Sequence, residues 1–160
     1  MNGAHWHLVV NHFPIMGSIF SCALLIGGYL FKNQAIKQSA LGLIILTGLL
    51  SIPALLTGES AEDVLKAIGK KNPAMIHPHE EAAELAFWIM EVTAIFGIIA
   101  FVLNHKNVKV GKNVTAATFI LLVICVALFI NVNYLGGKIR HTEIRDTTSV
   151  PLPESELETE

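Results

Sequence analysis

Four long apolar stretches separated by polar segments dominate the pattern of this chain. They run from about Leu8 to Phe31, Ala40 to Leu56, Leu85 to Leu103 and Val114 to Tyr134. A helix of about 20 apolar residues crosses a hydrocarbon core of about 30 Å. The pattern therefore predicts an all-α fold, an integral membrane four-helix bundle.

The composition agrees with this prediction and argues against a soluble domain or a nucleic-acid-binding protein. Of the 160 residues, 52% are hydrophobic and 15% are charged, whereas ordinary soluble domains have about 25% charged residues. The net charge is -2 and no block of Lys or Arg occurs. A nucleic-acid partner is not expected, because such partners are bound by a basic surface.

The chain divides into one membrane domain and a tail. We assign residues 1–146 to the four-span domain. Residues 147–160 contain Pro151, Pro153 and four Glu, a composition typical of a disordered acidic segment.

The polar segment between spans two and three predicts an element of its own. Ser60 and Asp63 resemble a capping pair, and the apolar residues that follow recur at helical spacing, namely Ala61, Val64, Leu65 and Ile68. We expect a short amphipathic helix at the membrane interface, ended by Gly69. The third span is then expected to begin at Pro78, because proline is tolerated in a first helical turn.

The even number of spans places both termini and the loop between spans two and three on one side. The opposite side has two short links, Lys32–Ser39 and Asn104–Asn113, which carry five lysines and no acidic residue. The other side carries six Lys and Arg residues, so their number alone does not decide the orientation. Positive charge near span ends is retained in the cytoplasm, and the higher density of lysines in the short links leads us to expect that both termini face outward.

Histidines gather at the mouths of the spans on the side of the termini. Imidazole is the commonest protein ligand for transition metals and also binds heme iron, and carboxylates accompany it here. Arg140 follows span four, where it is a candidate partner for heme propionates. The candidate metal ligands are His5, His7, His12, His77, His79, His141, Glu59 and Glu84.

The residues alone leave three interpretations open. The first is a heme held by two imidazoles from different helices, and the second is a non-heme copper, zinc or iron site of His and Glu. In the third, a non-catalytic accessory subunit uses the same histidines as ordinary interfacial residues.

Glu91 lies inside span three, where a charge is costly. It is expected either to extend a polar track inward or to bond to a neighbouring span through Ser51, Asn131 or Asn133.

Short motifs at the span ends resemble a family of bacterial four-helix membrane proteins of unknown function. The motifs are His12-Phe13-Pro14-Ile15, Leu56-Thr57-Gly58, a His before span three, and Gly136-Gly137 followed by a His after span four. Some members of that family are fused to Rieske-type iron–sulfur domains. The resemblance implies that the membrane part also handles electrons, and it carries over to His12, His79 and His141.

Taken together, these arguments predict a small electron-transfer protein or respiratory subunit rather than a stand-alone enzyme. The expected cofactor is heme b, with copper, zinc or iron as the alternative. The expected partners are the lipid bilayer and a larger respiratory complex, a periplasmic carrier or a quinol, and a homo-oligomer is compatible. The expected location is the bacterial inner membrane, with both termini periplasmic. The predicted cofactor-binding residues are His7, His12, His79, His141 and Arg140.

Overall fold

A computed structural model describes residues 2–69, 72–141 and 144 of the chain. These residues contain helices and no strand. The helices are α1 (Gly3–Val10), α2 (His12–Leu30), α3 (Gln34–Ala67), α4 (Pro73–His105) and α5 (Gly111–Arg140). The predicted tail, residues 147–160, lies outside the described residues.

Within the described residues, four helical segments are long and apolar enough to cross a membrane, with α1 and α2 together forming the first. Large apolar side chains remain on the outside of the bundle, such as Leu30 at 73% and Leu56 at 70% exposure. Apolar surface of this extent marks contact with lipid or with another protein. The predicted all-α membrane bundle is confirmed, and the chain is a multi-pass membrane protein.

The first span is interrupted at Asn11, between α1 and α2. Pro14 explains the break, because its ring clashes with the carbonyl of the residue four positions earlier and it has no N–H to donate. In the first turn of α2 the missing N–H costs nothing. The chain can therefore turn at Asn11, so that α1 packs mainly on α3.

The spans form a closed ring in which α2 packs on α3, α3 on α4, α4 on α5, and α5 again on α2. Short connections join antiparallel neighbours, as in other four-helix bundles. We call the end with residues 31–33 and 106–110 the link end. The opposite end, which holds the N-terminus and the α3–α4 connection, is the terminal end.

The interior combines branched or flexible apolar side chains with small residues. Leu41, Ile44, Met90 and Leu122 are fully buried. Gly48 lies so close to α4 that an added Cβ would come 2.6 Å from Ala94 Cβ. Small residues allow such close approach between membrane helices, where burial from water does not drive association.

The terminal end differs from the sequence-based prediction. No separate interfacial helix forms, because residues 60–67 continue α3 without a break up to Gly69, whose φ of +68° ends the helix. Helix α4 likewise begins at Pro73, and Pro78 lies inside it. With 34 residues, α3 is about 51 Å long at 1.5 Å per residue, so its charged last turns extend beyond the apolar layer.

Candidate functional site

A cavity at the terminal end lies between α1, α3, α4 and α5. Its volume is about 60 Å³. Most of the lining is apolar and includes Phe87 and Phe129. The polar side chains that line it are His7, Asn11, Ser51, His79 and Asn133.

His7 reaches this cavity from α1 and is held by α3. Its Nδ1 lies 3.1 Å from Thr57 Oγ1. The Thr57 hydroxyl donates its own hydrogen to Pro53 O at 2.8 Å, so the bond between the two side chains needs Nδ1–H of His7 as donor. The neutral ring consequently keeps an unprotonated Nε2.

The extended end of α3 provides the surface on which α1 lies. A Cβ on Gly3 would come 2.5 Å from Ser60 Cβ, and a Cβ on Gly58 would come 3.9 Å from His7 Cε1. Small residues on both helices thus permit the close contact. The segment expected to be a separate helix contacts α1 at Gly3 through Ser60. His7 contacts α3 just before that segment, at Thr57 and Gly58.

His79 faces the same cavity from α4 and is held by α5. Its Nδ1 lies 3.0 Å from Val132 O, and a carbonyl oxygen only accepts hydrogen bonds, so Nδ1 carries the hydrogen. The ring lies against Gly136, where an added Cβ would be 3.1 Å from His79 Cε1. Here too the neutral ring leaves Nε2 as the nitrogen with a free lone pair.

The two histidines form a pair of matched donors. Both are half-buried, and both line the same cavity. Histidines that bind metals generally donate their second ring N–H to a carbonyl or another oxygen. His7 and His79 already have that arrangement on separate helices.

The other predicted ligands do not join this pair. Two of the remaining histidines have short-range partners of their own: His77 Nε2 lies 3.3 Å from Glu81 Oε1, and His12 bonds to the side chain of Asn11. No group of three or more His, Cys, Asp or Glu able to hold a metal ion occurs within the described part of the chain. The predicted site residues with exposed side chains are His5, His12, His77, His141, Glu59, Glu84 and Arg140.

Glu91 lies deeper in the bundle, one hydrogen bond away from the cavity. The hydroxyl of Ser51, which lines the cavity, donates to Glu91 Oε1 at 2.7 Å. Ser51 is one of the three partners predicted for this carboxyl group, and that prediction is confirmed. The polar lining of the cavity thus continues inward to a carboxyl group in α4.

Sequence analysis did not identify the groups that hold the two rings. Thr57 and Gly136 belong to motifs noted in the sequence, but nothing in those motifs relates them to histidines 50 or more residues away. Val132 acts through its backbone carbonyl. Every residue has such a group, so the sequence contains no signal for it.

The donor set of the cavity fits a metal centre with two imidazole ligands. The volume of about 60 Å³ holds an ion and a few waters but is too small for a porphyrin. Sites for organic cofactors are several times larger, about 300–1,000 Å³. A macrocycle would therefore require the helix ends around the cavity to move apart.

Comparisons with known proteins give no relative from which a function could be transferred. The chain matches no protein-family model, no curated protein and no solved structure. The functional argument accordingly depends on the residues described above.

Proposed function

We propose that this protein is a small membrane cytochrome of the b type, or an electron-transfer subunit, that binds heme b through His7 and His79. One observation carries the proposal: two imidazoles from different helices line one cavity, and each has its Nδ1–H engaged by an oxygen. Coordination of a metal through Nε2 would require this tautomer. The resemblance of the motifs to a family with Rieske-type fusions supports the same class of function.

The residues of the chain have separate tasks in this proposal. Thr57 and the carbonyl of Val132 fix the orientation of the two rings. Phe87 and Phe129 give the cleft apolar walls, which limit the access of water to the metal and so affect its potential. When bound, the heme supplies one-electron redox chemistry. Arg140, exposed at the end of α5, is suited to pair with a propionate.

The location of the site suggests its redox partners. We propose that the terminal end faces the bacterial periplasm, because the lysines of the short links are denser than the Lys and Arg residues of the other side and positive charge near span ends is retained in the cytoplasm. The heme would then exchange electrons with a periplasmic carrier, a quinol or a larger respiratory complex. Fusions to the C-terminus test the orientation: a periplasmic end should give active alkaline phosphatase and a dark fluorescent protein, and the reverse result would overturn it.

Spectroscopy of the full chain tests the heme proposal. The protein should be produced in bacterial membranes with a heme precursor and purified in detergent. We expect reduced-minus-oxidised absorption bands of a heme with two imidazole ligands. His7→Ala and His79→Ala should each abolish this spectrum, whereas His5→Ala and His77→Ala, which change exposed side chains two residues away, should retain it. Retention of the spectrum in both cavity variants would exclude the proposed ligands.

A second candidate is a non-heme copper, zinc or iron ion bound by the same two histidines. The cavity volume of about 60 Å³ favours this candidate, because an ion with water ligands fits into the cavity without movement of the helix ends. Elemental analysis distinguishes the two candidates, since metal without porphyrin indicates an ion. A folded protein with neither metal nor porphyrin would overturn both and leave the role of an accessory subunit.

A further inference from the structure

A second cavity lies at the link end, at the opposite end of the bundle from the histidine pair. Its volume is about 300 Å³. It lies where α2 and α4 end and α3 and α5 begin. The polar residues that line it are Tyr29, Gln34, Lys37, Asn104, Lys112 and Thr115.

The lining of this cavity is cationic. Lys37 comes from α3 and Lys112 from α5, and none of the lining residues is acidic. The sequence has no Asp or Glu in residues 1–58 or 92–142, so both polypeptide links lack a carboxylate that would neutralise these lysines. An anion from outside the chain would balance this charge.

The helix directions add to this positive field. Both α3 and α5 begin at the link end, and the start of a helix carries a partial positive charge that favours anions. The start of α3 is capped by the Asn33 side chain, which accepts from the N–H groups of Ala35 and Ile36. Helix α5 has no side-chain cap.

Lys37 is held in place by its neighbours. Lys37 Nζ lies 5.2 Å from the centroid of the Tyr29 ring, a distance typical of a cation–π contact. Gly28 allows the lysine stem to approach, because an added Cβ would lie 2.5 Å from Lys37 Cγ. Across the cavity Asn104 Nδ2 donates to Thr115 Oγ1 at 2.7 Å. This wall joins the end of α4 to the start of α5.

We infer that this cavity binds a phosphate group whose negative charge is not neutralised by a cationic group of the same molecule. Two lysines, a phenol and amide groups offer donors to phosphate oxygens, and basic pockets between membrane helices are suited to anionic headgroups. The group belongs either to an anionic phospholipid or to a soluble phosphate. This inference does not depend on the proposed heme site.

The test uses the full chain in a zwitterionic detergent and three probes. These are a short-chain phosphatidylglycerol, the phosphatidylcholine of the same chain length, and inorganic phosphate. Calorimetric titration with phosphatidylglycerol should show roughly tenfold tighter binding than with phosphatidylcholine, since lysines near a membrane surface attract anionic headgroups. Tight binding of inorganic phosphate, with phosphatidylglycerol no better than phosphatidylcholine, would instead identify a soluble phosphate as the ligand.

A matched pair of double variants locates the site. Lys37→Gln with Lys112→Gln should weaken binding of the preferred probe about thirtyfold, whereas Lys106→Gln with Lys109→Gln removes the same charge from the same end and should change it less than about twofold. If the first double variant does not fold, Lys112→Gln alone provides the test, because this side chain is exposed and its replacement should not disturb the fold. It should still weaken binding about fivefold. Equal effects of both double variants, or no binding of any probe, would overturn the inference.

Discussion

Ser51 and Glu91 join α3 to α4 through a hydrogen bond of 2.7 Å from the serine hydroxyl to Oε1 of the carboxyl group. The same hydroxyl lies 2.7 Å from Gly48 O, and its single hydrogen is therefore shared between the two acceptors. Ser51 is buried and Glu91 is half-buried. Inside a membrane bundle such a pair connects helices only as long as both members are present.

Removal of the serine hydroxyl should therefore destabilise the bundle. Ser51→Ala leaves the Glu91 carboxyl group without this donor and should lower the free energy of unfolding by about 1–3 kcal/mol. Replacement of both partners by apolar residues, Ser51→Ala with Glu91→Leu, should recover most of the loss, since no polar group is then left unpaired. Unfolding in detergent followed by circular dichroism measures both effects. If the double variant is as unstable as Ser51→Ala alone, the loss in free energy of unfolding does not come from an unpaired carboxyl group.

The sequence was sufficient to predict the spans but not the full lengths of their helices. Hydropathy identifies the part of a helix that lies in lipid, and the stretch from Ala40 to Leu56 lies within α3. Hydropathy does not indicate where the backbone hydrogen bonding of the helix ends. Ser60 resembles a helix start and Gly58 precedes it, yet Gly58 stays helical and the helix continues to Ala67.

The candidate site was predicted as a group of residues and not as a pair. The sequence does not distinguish the six histidines of the terminal end, because all of them lie close to the ends of the spans. Only the turn at Asn11 and the contacts with Thr57 and Val132 distinguish His7 and His79 from the others. These contacts join residues 50 and 53 positions apart, and helical periodicity contains no information on such distances.

The contact between α2 and α3 should be sensitive to a single methyl group at Gly17. A Cβ there would overlap the Thr47 side chain and lie 3.1 Å from Thr47 Cβ. Gly17→Ala should lower the free energy of unfolding by about 1–3 kcal/mol through overpacking, and adding Thr47→Ala should restore part of it. Gly42 has no atom within 4 Å of an added Cβ, so Gly42→Ala should stabilise by about 0.5–1 kcal/mol. Equal stability of the two single variants would contradict this account of the helix contact.

Thr57 should affect ligand binding without being a ligand. Thr57→Val keeps the shape of the side chain but removes the acceptor for His7 Nδ1–H. On the proposed function, loss of such a support should weaken the affinity for heme or metal about 10–100-fold. Thr118 is the matched control, because its hydroxyl bonds only to Val114 O in its own helix, and Thr118→Val should leave the affinity unchanged. Titration of the ligand-free protein measures the difference, and unaltered affinity in Thr57→Val would exclude this role of the hydroxyl.

Gly136 should control the position of the His79 ring. A Cβ at Gly136 would come 3.1 Å from Cε1 and 3.3 Å from Nδ1 of that ring, closer than ordinary van der Waals contact. Gly136→Ala should therefore move the imidazole, strain its bond to Val132 O and reduce heme or metal content. The fold itself should tolerate the change, because alanine favours a helix over glycine by about 1 kcal/mol. The melting temperature of the ligand-free protein checks this point.

Gly58 provides the comparison for that experiment, since an added Cβ would lie 3.9 Å from Cε1 of His7, an ordinary contact distance. Gly58→Ala should leave both the spectrum and the ligand content as they are in the unsubstituted protein. If Gly58→Ala and Gly136→Ala lose ligand to the same degree, the effect comes from helix packing and not from the ring. If Gly136→Ala binds normally, His79 can move without losing its ligand, and its contact with Gly136 does not position it.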